Sequence, residues 1–183
     1  SLIVLKYFGM DKILIDNKEK IHIAESSIQK LNKHFIEKTK EKPNSSLGIG
    51  NDNKPYMLEN SEKKIKDEIE FIREIISIAN QLKIEKNSYR EDKFNVFSIL
   101  SEEEQDAMCI ATNNNYTLIT DDLCLRKIYW YICNKNKHSN SMEFLKYMTF
   151  NERIETLEKV SKTQYLYCIN KDIVLELLFF GKD

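Results

Sequence analysis

Apolar positions recur at helical spacing in several stretches of the chain, with short alternating runs between them. Leu2, Leu5 and Phe8 fall at helical spacing within residues 1–14, although a short strand over Leu2 to Leu5 satisfies the same residues. After a charged turn from Asp16 to Lys20, Lys20 to Ala24 (KIHIA) alternates and predicts a strand. Ser26 or Ser27 is then expected to cap an amphipathic helix with Ile28, Leu31 and Phe35 inward. Lys38 to Asn53, with Pro43, Gly48 and Gly50 among polar residues, reads as the most loop-like part, and Tyr56 to Glu59 as a short strand or extended segment. Ser61 caps a long helix striped by Ile65, Ile69, Ile72, Ile75, Ile76 and Ala79. Lys64 stands where a glutamate would complete a capping box. The acids Asp67, Glu68, Glu70 and Glu74 interleave with Lys63, Lys66 and Arg73, the pattern of a solvated face.

Residues 82–100 are irregular, and the most informative stretch follows. From Glu102 to Ile128 the chain reads as a helix, a polar turn, an apolar strand, and two carboxylates at the strand's end. Ala107, Ile110 and Ala111 set the helical spacing, and Asn113 to Asn115 end the helix, since Asn tolerates a left-handed cap. Tyr116 to Thr120 is the strand, with Asp121 and Asp122 at its end. Arg126 to Cys133 continues as a helix with Ile128, Trp130 and Ile132 inward. Lys135 to Asn140 is a polar loop, Met142 to Met148 a last strand or short helix, and Glu152 to Val160 and Asp172 to Phe180 two closing helices.

In a parallel α/β sheet, residues just past the carboxyl ends of strands line the ligand crevice. A helix bearing Asp106 and a strand ending in Asp121 and Asp122 therefore make a candidate divalent-cation site, because Mg²⁺ and Mn²⁺ prefer oxygen ligands. Two ordinary explanations compete. Acids at a helix start are favoured by its dipole, and Asp-Asp after a strand is a common turn.

Composition adds limits. The chain's 183 residues suit one domain, and 28 Lys plus Arg against 29 Asp plus Glu leave a net charge of -1. No bulk basic field advertises nucleic acid, though a local basic groove is compatible with that total. Cys109, Cys124, Cys133 and Cys168 form no CxxC pair and read as free thiols in a reducing compartment. With no membrane span and no signal peptide visible, a cytoplasmic location is expected. The start at Ser1, directly in an apolar stretch, reads as a fragment or excised domain. His22 and His34 read as a strand side chain and a helix surface residue. There is no internal repeat, Gly-rich phosphate loop or nucleophile constellation.

The run DAMCIATNNNYTLITDDLCLR resembles the C-terminal half of a PIN-domain nuclease, and IHIAESSIQKL resembles that family's second strand and following helix. The resemblance implies a three-layer α/β/α sandwich with a central, mainly parallel sheet over a single domain, residues 1–183, of which 140–183 form a C-terminal strand and helical extension. It implies Mg²⁺- or Mn²⁺-dependent hydrolysis of RNA. Asp106, Asp122 and Thr120 take catalytic places, Asp106, Asp122, Asp121 and Glu104 metal-binding ones, and Arg126 and Lys127 meet substrate phosphates. The pattern also departs from the family. Its first strand, which ends in Asp, is not visible; with Leu2 to Leu5 as that strand, Lys6 stands in the Asp position. The acid expected on the next helix reads Lys30-Leu31, Glu25 lies too early, and Glu68 or Glu70 is left as a substitute. These gaps keep open a non-catalytic PIN-like docking module, serving a protein partner or parent multidomain chain. TLITDD also resembles the first strand of a phosphorylation receiver, but too little chain follows Asp122 for that layout.

Overall fold

A computed structural model describes residues 2–49, 54–87, 100–133 and 137–161. The opening stretch is helical: α1 spans Leu2–Tyr7 and α2 spans Asp11–Asp16. Gly9 separates them with φ +75°, a left-handed backbone that glycine adopts without steric cost. Lys6 therefore lies on a helix rather than at a strand's end, where its amino group pairs with Asp11 and Glu74.

β1 (His22–Ala24) runs directly into α3 (Glu25–Thr39), so Ala24 occupies the cap position and neither Ser26 nor Ser27 caps the helix. Of the inward stripe, Ile28 is buried, whereas Leu31 and Phe35 are half-buried. The Arg73 guanidinium lies 5.9 Å from the centre of the Phe35 ring. α4 (Glu62–Ala79) is capped as expected, the Ser61 hydroxyl accepting from the Lys64 N–H at 3.2 Å. Ile65, Ile72, Ile75, Ile78 and Ala79 are buried along it, and α3 and α4 pack together.

Between these helices the expected loop is partly sheet. β2 (Asn44–Ile49) pairs antiparallel with β3 (Pro55–Asn60), placing Gly48 opposite Tyr56. The two glycines and Pro43 resemble loop punctuation, but Gly48 has a packing reason. A Cβ there would lie 2.6 Å from the Tyr56 ring, so any other residue would push that exposed ring aside.

β4 (Lys83–Glu85) returns parallel to β1. Next come α5 (Glu102–Asn113) and β5 (Leu118–Ile119). The turn between them holds Asn115 at φ 57°, the left-handed Asn the sequence suggests. α6 (Leu123–Cys133) crosses from β5 to β6 (His138–Ser139), which pairs parallel to β5. The last strand thus precedes Met142 to Met148, which lies within a 3-10 turn (Ser141–Tyr147) and its cap, before α7 (Phe150–Ser161). Asp172 to Phe180, and Cys168, lie outside the described residues.

Two cores result. Val4, Leu5, Phe8, Met10 and Leu14 meet Ile78, Met142, Phe144, Leu145, Met148 and Val160. Met108, Cys109 and Ala111 of α5 meet Leu118, Leu125 and Tyr129. Each fully buried Leu, Phe or Met side chain contributes about 1.5–3 kcal/mol. β1–β4 and β5–β6 are separate parallel pairs, not hydrogen-bonded to each other. α5 packs on both β1 and β5, and the His22 ring stacks on Tyr116 at 4.3 Å while its Nδ1 meets Glu85 at 2.7 Å. The fold is α/β and helix-rich, with small two-stranded sheets, two parallel and one antiparallel. Among the described residues, no helix is long and apolar enough to cross a membrane.

Candidate metal site at the strand ends

Positions two residues past the parallel strands carry polar side chains: Ser26 after β1, Asn87 after β4, Asp121 after β5 and Ser141 after β6. Two of these pair with each other. Asp121 is 7% exposed, and its Oδ1 accepts from the Ser141 N–H at 2.8 Å while Oδ2 accepts from the Ser141 hydroxyl at 2.6 Å. Parallel pairing of β5 and β6 brings their carboxyl ends to one side, which is why residues twenty apart meet. Among the described residues Asp121 makes no ion pair; its partners are neutral donors.

Asp106 lies one turn into α5 and is 8% exposed. It accepts from the Asn87 side-chain amide at 3.0 Å, which ties it to the carboxyl end of β4. Glu104 is engaged at the start of the same helix. Its Oε2 accepts both the N–H and the hydroxyl of Ser101 at 2.8 Å, completing a capping box.

Asp122 is exposed and acts as the N-cap of α6. Its Oδ1 accepts from the N–H groups of Cys124 (2.7 Å) and Leu125 (3.0 Å), and its own N–H donates to the Thr120 hydroxyl at 3.2 Å. Thr120 thereby braces the turn at the strand's end. On α6 itself, Lys127 is exposed, and the Arg126 Nε is buried without a hydrogen-bond partner among the described residues.

The positions where further acids were sought are otherwise occupied. Lys30 ion-pairs with Glu103, joining α3 to α5, and Glu25 meets Lys86 at 3.3 Å. Glu68 and Glu70 on α4 pair with Lys38 and Arg73, so neither stands ready as a substitute ligand. Ser26, at the corresponding position past β1, has a buried hydroxyl with no hydrogen-bond partner among the described residues.

The donors suit a hard divalent ion in kind, since they are carboxylate and hydroxyl oxygens with unused lone pairs. Among the described residues no group of three or more His, Cys, Asp or Glu side chains is gathered closely enough to hold a metal. Mg²⁺ commonly takes only one or two carboxylates and completes its shell with water and phosphate. Asn87, Ser141 and Ser26 carry no motif of their own; only the strand ends, once known, single them out.

A buried carboxylate just past a short parallel strand, with another on the helix packed against that strand, stands where α/β proteins bind ligands. The family model described as the PIN domain associated with the TPR-GreAB-C-PIN system matches residues 1–129, and the chain belongs to the PIN-domain family. No curated protein and no solved structure matches the chain.

Proposed function

We propose that the chain is a metal-dependent ribonuclease domain in which Asp106 and Asp121 are the principal ligands for Mg²⁺ or Mn²⁺. The observation that supports this is Asp121, a carboxylate buried among neutral donors with no cation paired to it among the described residues. Such burial is costly, and a divalent ion would offset it. Asn87 and Ser141 orient the two carboxylates, the supporting role that such hydrogen bonds play around metal ligands. Asp122 and Glu104 stand at the rim, each fixing a helix start with one oxygen. Thr120 holds the turn that carries Asp122, and Arg126 and Lys127 supply positive charge for phosphates. The ion, when bound, supplies Lewis acidity toward water and a counter-charge for the phosphodiester.

Calorimetric titration with Mn²⁺ tests the reading, followed by cleavage of single-stranded RNA. Saturable binding should vanish in the Asp106→Asn, Asp121→Asn double variant and weaken in Asp122→Asn, whose amide keeps the cap but loses the charge. No binding by the unmodified chain overturns the proposal.

That outcome would favour the second reading, a docking module within a larger assembly. The observation behind it is the β2–β3 hairpin. One face carries Leu47, Ile49, Pro55 and Met57, all exposed, with Leu47 80% and Ile49 75% accessible. Apolar residues grouped in this way mark contact surfaces more often than solvent-facing ones.

A further inference from the structure

The two sides of α6 differ in kind. Leu125 and Tyr129 are buried in the second core. The opposite side presents Leu123, Cys124, Lys127, Trp130 and Tyr131, spaced so that all project from one face, and all are exposed. Trp130, which the helical pattern would place inside, is 49% exposed, and Tyr131 is 79% exposed. Lys127 lies one turn before both rings. The surrounding sequence is locally basic: residues 123–142 include Arg126, Lys127, Lys135 and Lys137 and no acid, in a chain whose net charge is -1. The face starts at Asp122, next to the buried Asp121, so it adjoins the rim of the candidate site.

We propose that this face of α6 is a platform for single-stranded RNA, with Trp130 and Tyr131 stacking on bases and Lys127 meeting backbone phosphates. The proposal deepens the ribonuclease reading and rests on it for the role of the platform. Two observations select this occupant. The stretch 123–142, with four basic residues and no acid, complements a polyanion, and large exposed aromatic rings beside a lysine match the sequence-tolerant stacking by which single strands are held. A duplex keeps its bases stacked on one another and offers these rings nothing.

The chain contains one tryptophan, so its fluorescence reports on Trp130 alone. The whole chain is titrated with oligouridylate in buffer containing EDTA, following both Trp130 emission and the anisotropy of labelled RNA. Saturable quenching is expected, with weaker binding of an RNA duplex of equal length. Trp130→Ala and Tyr131→Ala should each weaken binding about tenfold, while Trp130→Phe stays within about twofold of the parent. Lys127→Ala should lower the salt dependence by about one phosphate contact. All three positions altered here carry exposed side chains, and circular dichroism confirms the fold. Binding unaffected by these substitutions overturns the platform, as does no binding at all. Equal affinity for polyphosphate, which has no bases, also overturns it, and so does equal quenching by polyglutamate, which would indicate an acidic protein partner. Because no divalent ion is present, the two readings fail separately. RNA binding that depends on Trp130, without Mn²⁺ binding, keeps the platform and removes the ribonuclease. Mn²⁺-dependent cleavage indifferent to Trp130 does the reverse.

Discussion

Ser141 gives both of its donors to Asp121, the backbone N–H at 2.8 Å and the hydroxyl at 2.6 Å, and all of these groups are buried. The pair ties the end of β5 to the start of the 3-10 turn after β6, so it is structural before it is anything else. Hydrogen bonds to a charged acceptor are worth about 1.5–3 kcal/mol. Ser141→Ala should therefore cost about 2 kcal/mol in urea unfolding. Asp121→Ala should cost more, because two buried donors lose their acceptor. Both variants within about 0.5 kcal/mol of the parent would show that the pair is not formed in solution.

Asp122 does different work from its neighbour. With Oδ1 accepting from Cys124 and Leu125, it closes the first turn of α6. Replacing an N-cap Asp by Ala costs about 1 kcal/mol, whereas Asn and Ser cap almost as well. In metal-free buffer Asp122→Ala should lower stability by that amount and Asp122→Asn should not. An Asp122 serving only a metal would leave both variants as stable as the parent.

Glu104 makes the same kind of distinction testable on α5. Metal binding and capping would both fall on one helix start, but only the capping box with Ser101 is a contact among the described residues. Glu104→Gln retains an acceptor for both Ser101 donors and should be nearly neutral in chemical denaturation. Glu104→Ala should cost about 1 kcal/mol, the usual loss for a cap. An equal loss in both would mean that charge at the helix N-terminus, rather than the box, carries the effect.

Long helices were legible because burial imposes a period: Ile65, Ile72, Ile75 and Ala79 of the α4 stripe are buried, although Ile69 and Ile76 are half-buried and the buried Ile78 lay outside it. The strands were not. β5 and β6 have two residues each, too short for alternation to show, and β2 hid behind Gly48, which serves the Tyr56 ring rather than a loop. Trp130 shows the opposite limit, since helical spacing identifies a face without saying whether another element covers it. Asp106 and Asp121 were visible as acids at telling places. Asn87 and Ser141 were not, because their importance depends on which strand ends lie side by side.

Lys6 carries the clearest pH signature. Its amino group sits 2.9 Å from Glu74 and 3.1 Å from Asp11, and these bonds, Glu74's foremost, raise its pKa above the ordinary 10.5 against the opposing effect of burial. A lysine whose folded pKa exceeds its unfolded one contributes stability that is fully present below the unfolded value. That contribution is lost as pH rises through the folded value. Lys6→Met, which keeps the aliphatic stem against α1's neighbours, should thus cost at most about 1 kcal/mol near neutral pH, given the half-exposed Glu74. Urea unfolding of parent and variant, repeated on the alkaline side of 10.5, should show the two converging as the parent alone loses stability. A gap that stays constant across this range would assign the loss to packing of the stem rather than to the charge.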